Sequence, residues 1–307
     1  NTLIGWSTLD AGETQVPPNL TLGANGLTYC AGLMARTALQ DTYSWTISGD
    51  SNSCPENNFI TTWQTTGANE TITIPTTGTG YNYSVDWGDG SASLETGDAT
   101  HSYATAGTYT VSISGAFPRI YFNNGGDKAK IQSIDQWGSQ VWLSMSGAFH
   151  GCSNLSLSAT DVPDLSSTTD LSNMFNDAYS FNGDISTWDV SGVTDLSGMF
   201  RLALAFNGDL STWSVGNVTD MNNMFAGITL FNSDLSGWDV SGVTQMGHMF
   251  NGTESFNQDL SGWDVSQVTD MAYMFYGASI FNRLAIVGAI SVILYLLEDE
   301  PCFIPFP

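Results

Sequence analysis

Four aspartates, Asp184, Asp209, Asp234 and Asp259, recur at one fixed interval. If the intervening segments stack, these carboxylates form a column, which is costly unless each accepts N–H groups or shares a cation. Calcium suits such oxygen ligands, yet its cage needs about 6 to 8 of them, and the chain has no D-x-D-x-D-G loop. The column is therefore a weak metal candidate, and no other cofactor is expected. The three histidines, His101, His150 and His248, lie in different contexts, without an HExxH helix, a paired CxxC, a phosphate-binding glycine loop or an ordered Ser/His/Asp set. Catalysis is not expected. Among four cysteines, Cys30 and Cys54 are candidates for a disulfide, whereas Cys152 falls inside the repeat register and Cys302 in the tail.

The elements that must carry these residues are written in a repeated sentence. FNGDISTWDVSGVTDLSGMF, FNGDLSTWSVGNVTDMNNMF, FNSDLSGWDVSGVTQMGHMF and FNQDLSGWDVSQVTDMAYMF begin at Phe181, Phe206, Phe231 and Phe256, a period of 25 residues. A fixed period of this size marks repeats that bury their apolar faces by stacking. Within one repeat, Trp188 and Val190 alternate with Thr187, Asp189 and Ser191, which predicts a short strand with an inner and an outer face. Leu196, Met199 and Phe200 then fall at i, i+3 and i+4, which predicts two turns of helix capped by Thr194 or Asp195 and ending near Ala203 or Ala205. Trp188, Trp213, Trp238, Trp263, Phe200, Phe225, Phe250 and Phe275 are the expected core columns. Asn182, Asn207, Asn232, Asn257 and Asn282 are expected to hydrogen-bond backbone in their own and adjacent repeats. The column of Gly198, Asn223, His248 and Tyr273 reads as a tolerant, solvent-facing position.

The chain has 307 residues, with 30 Asp and Glu against only six Lys and Arg, a net charge of -24. That charge repels nucleic acid and anionic membrane and suits a dispersed extracellular protein. Residues 1–57 read as a β-rich segment without a specific fold. From 58 to 122, short alternating stretches such as Thr71–Ile74, Tyr81–Trp87 and Thr108–Ile113, separated by Gly and Asp turns, predict an antiparallel β-sandwich. Residues 123–282 hold about six repeats, the first ones divergent. Residues 283–307 form an apolar divergent tail or cap, whose run Leu284–Leu297 is shorter than the roughly 20 residues that span a bilayer.

Val85-Asp-Trp-Gly-Asp-Gly90 followed by His101-Ser-Tyr103 and Gly107-Thr-Tyr-Thr-Val111 resembles the polycystic kidney disease (PKD) type of immunoglobulin-like domain. In that setting Trp87 and Tyr109 would fill the space between sheets, Asp89 would accept turn N–H groups, and His101 would be a buried, hydrogen-bonded strand residue. The repeats resemble BspA-like bacterial surface proteins, built from 25- or 26-residue repeats like those at 131–282. The two resemblances together imply an Ig/PKD-like sandwich followed by an α/β leucine-rich-repeat-like right-handed solenoid of about six coils. They also imply an extracellular or bacterial cell-surface adhesion module that binds a protein or a glycan. The expected binding face is the outer face of the strands: Thr187, Asp189, Ser191, Thr212, Ser214, Asp239, Ser241, Asp264 and Ser266. The alternative is a structural subunit that assembles with copies of itself through the array. Neither reading includes nucleic acid, nor membrane insertion by the main domains.

Overall fold

The computed structural model describes residues 18–23, 28–29, 39–40, 43–48, 51–52 and 57–281, so the Cys30–Cys54 pairing, Asn282 and the tail 283–307 lie outside the described residues. The chain divides into two compact units, Asn1–Asn57 and Asn58–Pro307. In the first, β1 (Thr21–Gly23) pairs in parallel with β3 (Thr46–Ser48), and β2 (Thr28–Tyr29) with β4 (Ser51–Asn52). A small apolar cluster of Leu39 and Ile47, joined by Leu22, Tyr43 and Trp45, holds it.

The second unit opens with the alternation that the sequence leads one to expect. In β5 (Phe59–Thr65) every second side chain, Phe59, Thr61, Trp63 and Thr65, is buried, so one face must be covered by a second layer. That layer is β6 (Glu70–Ile74) paired antiparallel with β9 (Ala99–Tyr103), which contributes Ile72, Ile74, Ala99 and Tyr103 to the same core. The main sheet runs in the order β12-β11-β5-β10-β7-β8, with β7 at Asn82–Asp86, β8 at Ala92–Glu95, β10 at Gly107–Ala116, β11 at Ile131–Gln136 and β12 at Ser156–Leu157. Strands β5, β7, β8 and β10 pair antiparallel, and β11 joins β5 antiparallel across two register shifts. Strand β12 then pairs in parallel with β11. The first repeat is thus seeded on the edge of the sandwich sheet, and its core continues into the stack as one apolar cluster.

The WGDG turn has a steric reason for its first glycine. Gly88 lies at φ 76°, and a side chain there would put its first carbon 2.3 Å from the Thr110 carbonyl oxygen. Only glycine meets both demands. Trp87 is buried, but Tyr109 is only half-buried and stacks on the buried Tyr103 at 3.8 Å. His101 is half-exposed, not buried as expected, and stacks on Trp87 at 5.0 Å.

The repeats overturn the expected α/β leucine-rich-repeat-like right-handed solenoid. Between residues 58 and 281 there is no α-helix, and the segment around Trp188–Val190 is not a strand. Successive repeats are joined by single parallel bridges, Asp170 to Asp195, to Asp220, to Gln245 and to Asp270, and no continuous sheet closes the stack. Backbone bonding explains why the helical stripe fails to become a helix. Leu196, Gly198, Phe200 and Leu202 donate their N–H groups to Asp220, Asn222, Met224 and Ala226 of the next repeat at 2.7–3.0 Å. The residues that follow three of them in alternation, Met199, Arg201 and Ala203, donate back to Leu196, Gly198 and Phe200. Every second amide is therefore committed between repeats, which an i to i−4 ladder does not allow. Alternating the amides requires left-handed residues: Asn173, Gly198, Asn223, His248 and Tyr273 have φ between 54° and 61°. A second such column runs through Asp177, Leu202, Gly227, Gly252 and Gly277. The supposedly tolerant column is thus conformationally demanding, and the Gly and Asn within it were the signal.

The i, i+3, i+4 apolar positions are nevertheless buried, because each three-residue turn returns the chain to the same side. Phe149, Phe175, Phe200, Phe225, Phe250 and Phe275 stack at centroid spacings of 5.5–6.0 Å. Phe181, Phe206, Phe231, Phe256 and Phe281 form a parallel stack at 5.7–6.1 Å. The two zip together through pairs such as Phe225–Phe231 at 4.1 Å. Of the expected core, Phe275 alone is half-buried. Each indole N–H of Trp213, Trp238 and Trp263 donates to a carbonyl one repeat back, those of Ile185, Leu210 and Leu235, at 3.0 Å. No helix among the described residues is long and apolar enough to cross a membrane.

Candidate functional site

The nine residues expected on an outer strand face are all exposed, but they sit on turns. Ile185 accepts the Trp188 amide and Val190 that of Val193, which makes two β-turns joined by the Trp188–Val190 link. Asp189, Asp239 and Asp264 each accept the N–H of Ser191, Ser241 and Ser266 two residues on, at 3.0–3.1 Å. Thr212 donates its hydroxyl to the Ser186 carbonyl. Ser214 stands in place of the aspartate, and Gly216 in place of the serine, so this repeat interrupts the pattern. Much of this face is thereby spent on local turn chemistry.

The metal-candidate column behaves the same way. Asp184, Asp209, Asp234 and Asp259 accept the amides of Ser186, Ser211, Ser236 and Ser261 at 2.9–3.0 Å. The Ser186 hydroxyl, then its amide, hold Asp184 below the usual carboxylate range, while at Asp209, Asp234 and Asp259 the serine amide leads and the hydroxyl adds to it. No group of three or more metal-ligating side chains gathers among the described residues. A further acidic column lies at the bridges. There, burial raises Asp220 above the ordinary aspartate range, and Asp195 and Asp270 push it the same way. Gln245 takes the place of an acid in this column and donates to Thr269.

Backbone is tied across repeats by side chains in two further columns. Asn182, Asn207 and Asn232 each accept, through Oδ1, the amide of the asparagine one repeat on, at 2.9–3.0 Å. Thr194, Thr219, Thr244 and Thr269 donate both amide and hydroxyl to the threonine carbonyl one repeat back.

Ser91, His101 and Asp89 converge in the WGDG turn. His101 Nε2 lies 2.8 Å from Asp89 Oδ2 and 3.4 Å from Ser91 Oγ, and Ser91 also donates to Asp89 at 2.5 Å. Both partners meet the same ring nitrogen, so the imidazole is not interposed between hydroxyl and carboxylate as proton relay requires. These bonds, led by the Ser91 hydroxyl, hold Asp89 at about 2. The arrangement pins the turn.

The side chains that vary most lie in one segment of each repeat, NDAYS at 176–180, RLALA at 201–205, AGITL at 226–230, NGTES at 251–255 and YGASI at 276–280, whose backbone is tied into the ladder and whose central residue is buried. The segment exposes Tyr179, Leu204, Leu230, Tyr276 and Ile280, together with Arg201 and Glu254. Side chains that vary from repeat to repeat, carried on a rigid ladder that does not, can give a surface with its own chemistry at each level.

A β-sandwich continued by stacked, hydrogen-bonded turns defines a tandem-repeat protein of β class. The family model described as Mycoplasma protein of unknown function, DUF285, matches residues 119–227 and 203–286, together more than half of the chain, and the protein belongs to that family. No curated protein and no solved structure matches it.

Proposed function

We propose that the protein is a secreted or cell-surface adhesion module of a bacterium, which binds an extracellular protein or glycan through its repeat array and performs no catalysis. The observation that carries this reading is the division of labour within each repeat. Recurring Asp, Asn, Thr, Trp and Phe side chains are consumed by turns, ladders and core, whereas the variable segment presents Tyr179, Leu204, Leu230, Tyr276 and Ile280 to solvent. Exposed aromatic and aliphatic side chains grouped on one edge mark interaction surfaces. The PKD-like sandwich serves as the spacer on which the array is seeded. The test is a glycan and extracellular-matrix protein array probed with the full chain, with and without calcium. The expected result is a ligand whose binding is weakened by Leu204→Asp or Leu230→Asp; a ligand indifferent to both would refute this surface, and no ligand at all would remove the adhesion reading.

Self-assembly has one observation in its favour. Strand β8 is a sheet edge, and its Leu94 is 83% exposed, as in edges that pair with other chains. Light scattering settles it: a concentration-dependent mass that Leu94→Lys abolishes supports assembly, and a constant monomer mass refutes it.

A further inference from the structure

Cations are scarce in this protein, and where they sit is informative. Among the described residues, Lys130 pairs with Glu70 at 3.2 Å and Asp127 at 2.8 Å, and Arg119 donates to the Ser146 carbonyl and covers the Tyr121 ring at 4.5 Å. Both are structurally committed. Lys128 and Arg201 are not: Lys128 donates to the neutral Asn124 side chain, and the exposed Arg201 guanidinium has no partner among the described residues. Arg201 is also the one Lys or Arg between residues 131 and 282.

These two cations flank one spot. Asn124 donates its amide to the His150 carbonyl at 2.9 Å, Gly151 to Asn176 at 2.7 Å, and Asp177 to Arg201 at 2.8 Å, so 124, 150, 177 and 201 lie along one edge of consecutive repeats. Lys128 lies across Gly151, where a side chain would put its first carbon 2.8 Å from the lysine Cδ and 3.0 Å from Nζ. His150 Nε2 is 3.6 Å from Asp177 Oδ2, and Tyr179, 46% exposed, reaches Asp177 with its hydroxyl at 3.4 Å. Burial holds His150 below its ordinary range; Asp177 opposes this by its charge and hydrogen bond, and Lys128 and Arg201 add to it. Lys128 and Arg201 set two positive charges against the single negative charge of Asp177, inside a protein of net charge -24. Such a patch attracts a singly charged anion, while the field of the whole molecule repels polyanions.

We propose that this edge, formed by Lys128, His150, Tyr179 and Arg201, is a binding site for a sugar that bears a single carboxylate. Arg201 clamps the carboxylate with its two-pronged donor geometry, Lys128 adds charge, and the exposed Tyr179 ring supplies the flat apolar face against which a sugar ring packs. The proposal rests on the adhesion reading and narrows it to an acidic glycan.

The test is titration of the full-length protein with a glucuronate-terminated disaccharide, its glucose-terminated counterpart and acetate, followed by ligand-observed NMR. The glucuronate compound is expected to bind about tenfold or more tightly than the glucose one, as one charge-assisted pair provides. Arg201→Gln and Lys128→Gln each lose most of that difference, and Tyr179→Ala weakens the disaccharide while leaving the unfolding temperature in place. Equal binding of the glucose compound, equal binding of acetate, or indifference to Arg201→Gln overturns the proposal. Retained binding of another ligand from the array by Arg201→Gln would leave the broader adhesion reading standing, so the two fail separately.

Discussion

Replacing Gly198 by alanine distinguishes stacked turns from helices by the sign of a single number. In a helix the substitution stabilises by about 0.5–1 kcal/mol, because glycine loses more backbone freedom on folding. Here Gly198 is held at φ 61°, where an L-residue costs about 1–2 kcal/mol; against this, the stiffer unfolded chain returns about 0.4–1 kcal/mol. The added methyl would also stand 2.5 Å from Asn173 Oδ1, the atom that accepts the Asn176 side chain at 2.8 Å. Displacing it breaks a bond to a side chain only 3% exposed, for about 0.5–1.5 kcal/mol more. The sum is a loss of about 0.5–3 kcal/mol. Urea unfolding of the full chain, followed by tryptophan fluorescence, reads it as a lower midpoint at unchanged slope. Asn223→Gly, at φ 58° in the next repeat, serves as control and is expected to shift stability by only a few tenths of a kcal/mol, since both residues tolerate this conformation. A Gly198→Ala protein more stable than its parent would refute the turn ladder.

Position in the stack sets the cost of the phenylalanine core: Phe225→Ala, between buried neighbours on both sides, is expected to cost about 3–5 kcal/mol, and the half-buried Phe275 distinctly less by the same denaturation assay. Trp238→Phe keeps an aromatic ring but removes the indole donor to the Leu210 carbonyl, which still accepts the Trp213 amide, so the lost hydrogen bond is expected to cost about 0.5–1.5 kcal/mol. Asp220→Asn should raise the melting temperature at pH 7. Burial lifts the folded pKa of Asp220, so its charge opposes folding at neutral pH, and the advantage of the variant fades as the pH falls through that pKa. Glu70 and Asp89 have the opposite sign: both are held at about 2, so their contribution is present above the unfolded value near 4 and is lost as pH falls toward 2. Asp89→Asn is expected to flatten the acid limb of a melting-temperature profile.

Much of the architecture was legible because periodicity survives whatever backbone carries it. The Trp188, Val190, Leu196, Met199 and Phe200 positions are buried in the structure as the spacing requires, although neither a strand nor a helix forms there. Three-residue turns and α-helical turns place i, i+3 and i+4 on one side alike, so side-chain pattern alone does not separate them. The cue that does so is local: Gly198 and Asn223 in one column, and Gly227, Gly252 and Gly277 in another, mark left-handed backbone that breaks a helix at each turn. The candidate site was harder to read. Asp189, Ser191 and Thr212 were conspicuous by recurrence, yet recurrence in a ladder identifies residues that serve the ladder. Tyr179, Leu204 and Arg201 carry no such mark, since they differ from one repeat to the next.

The sequence by itself determined the period, the core columns, the alternating sandwich strands and the strongly acidic charge, because each is a property of residue type and spacing. Only the tertiary structure decided where the amides go. Once alternate N–H groups of residues 196–202 bond the next repeat, the helix is forbidden and the polar columns are consumed. The same long-range pairing brings Lys128, His150 and Arg201, up to 73 residues apart in the chain, to one edge, because stacking makes neighbours of residues that spacing alone leaves distant.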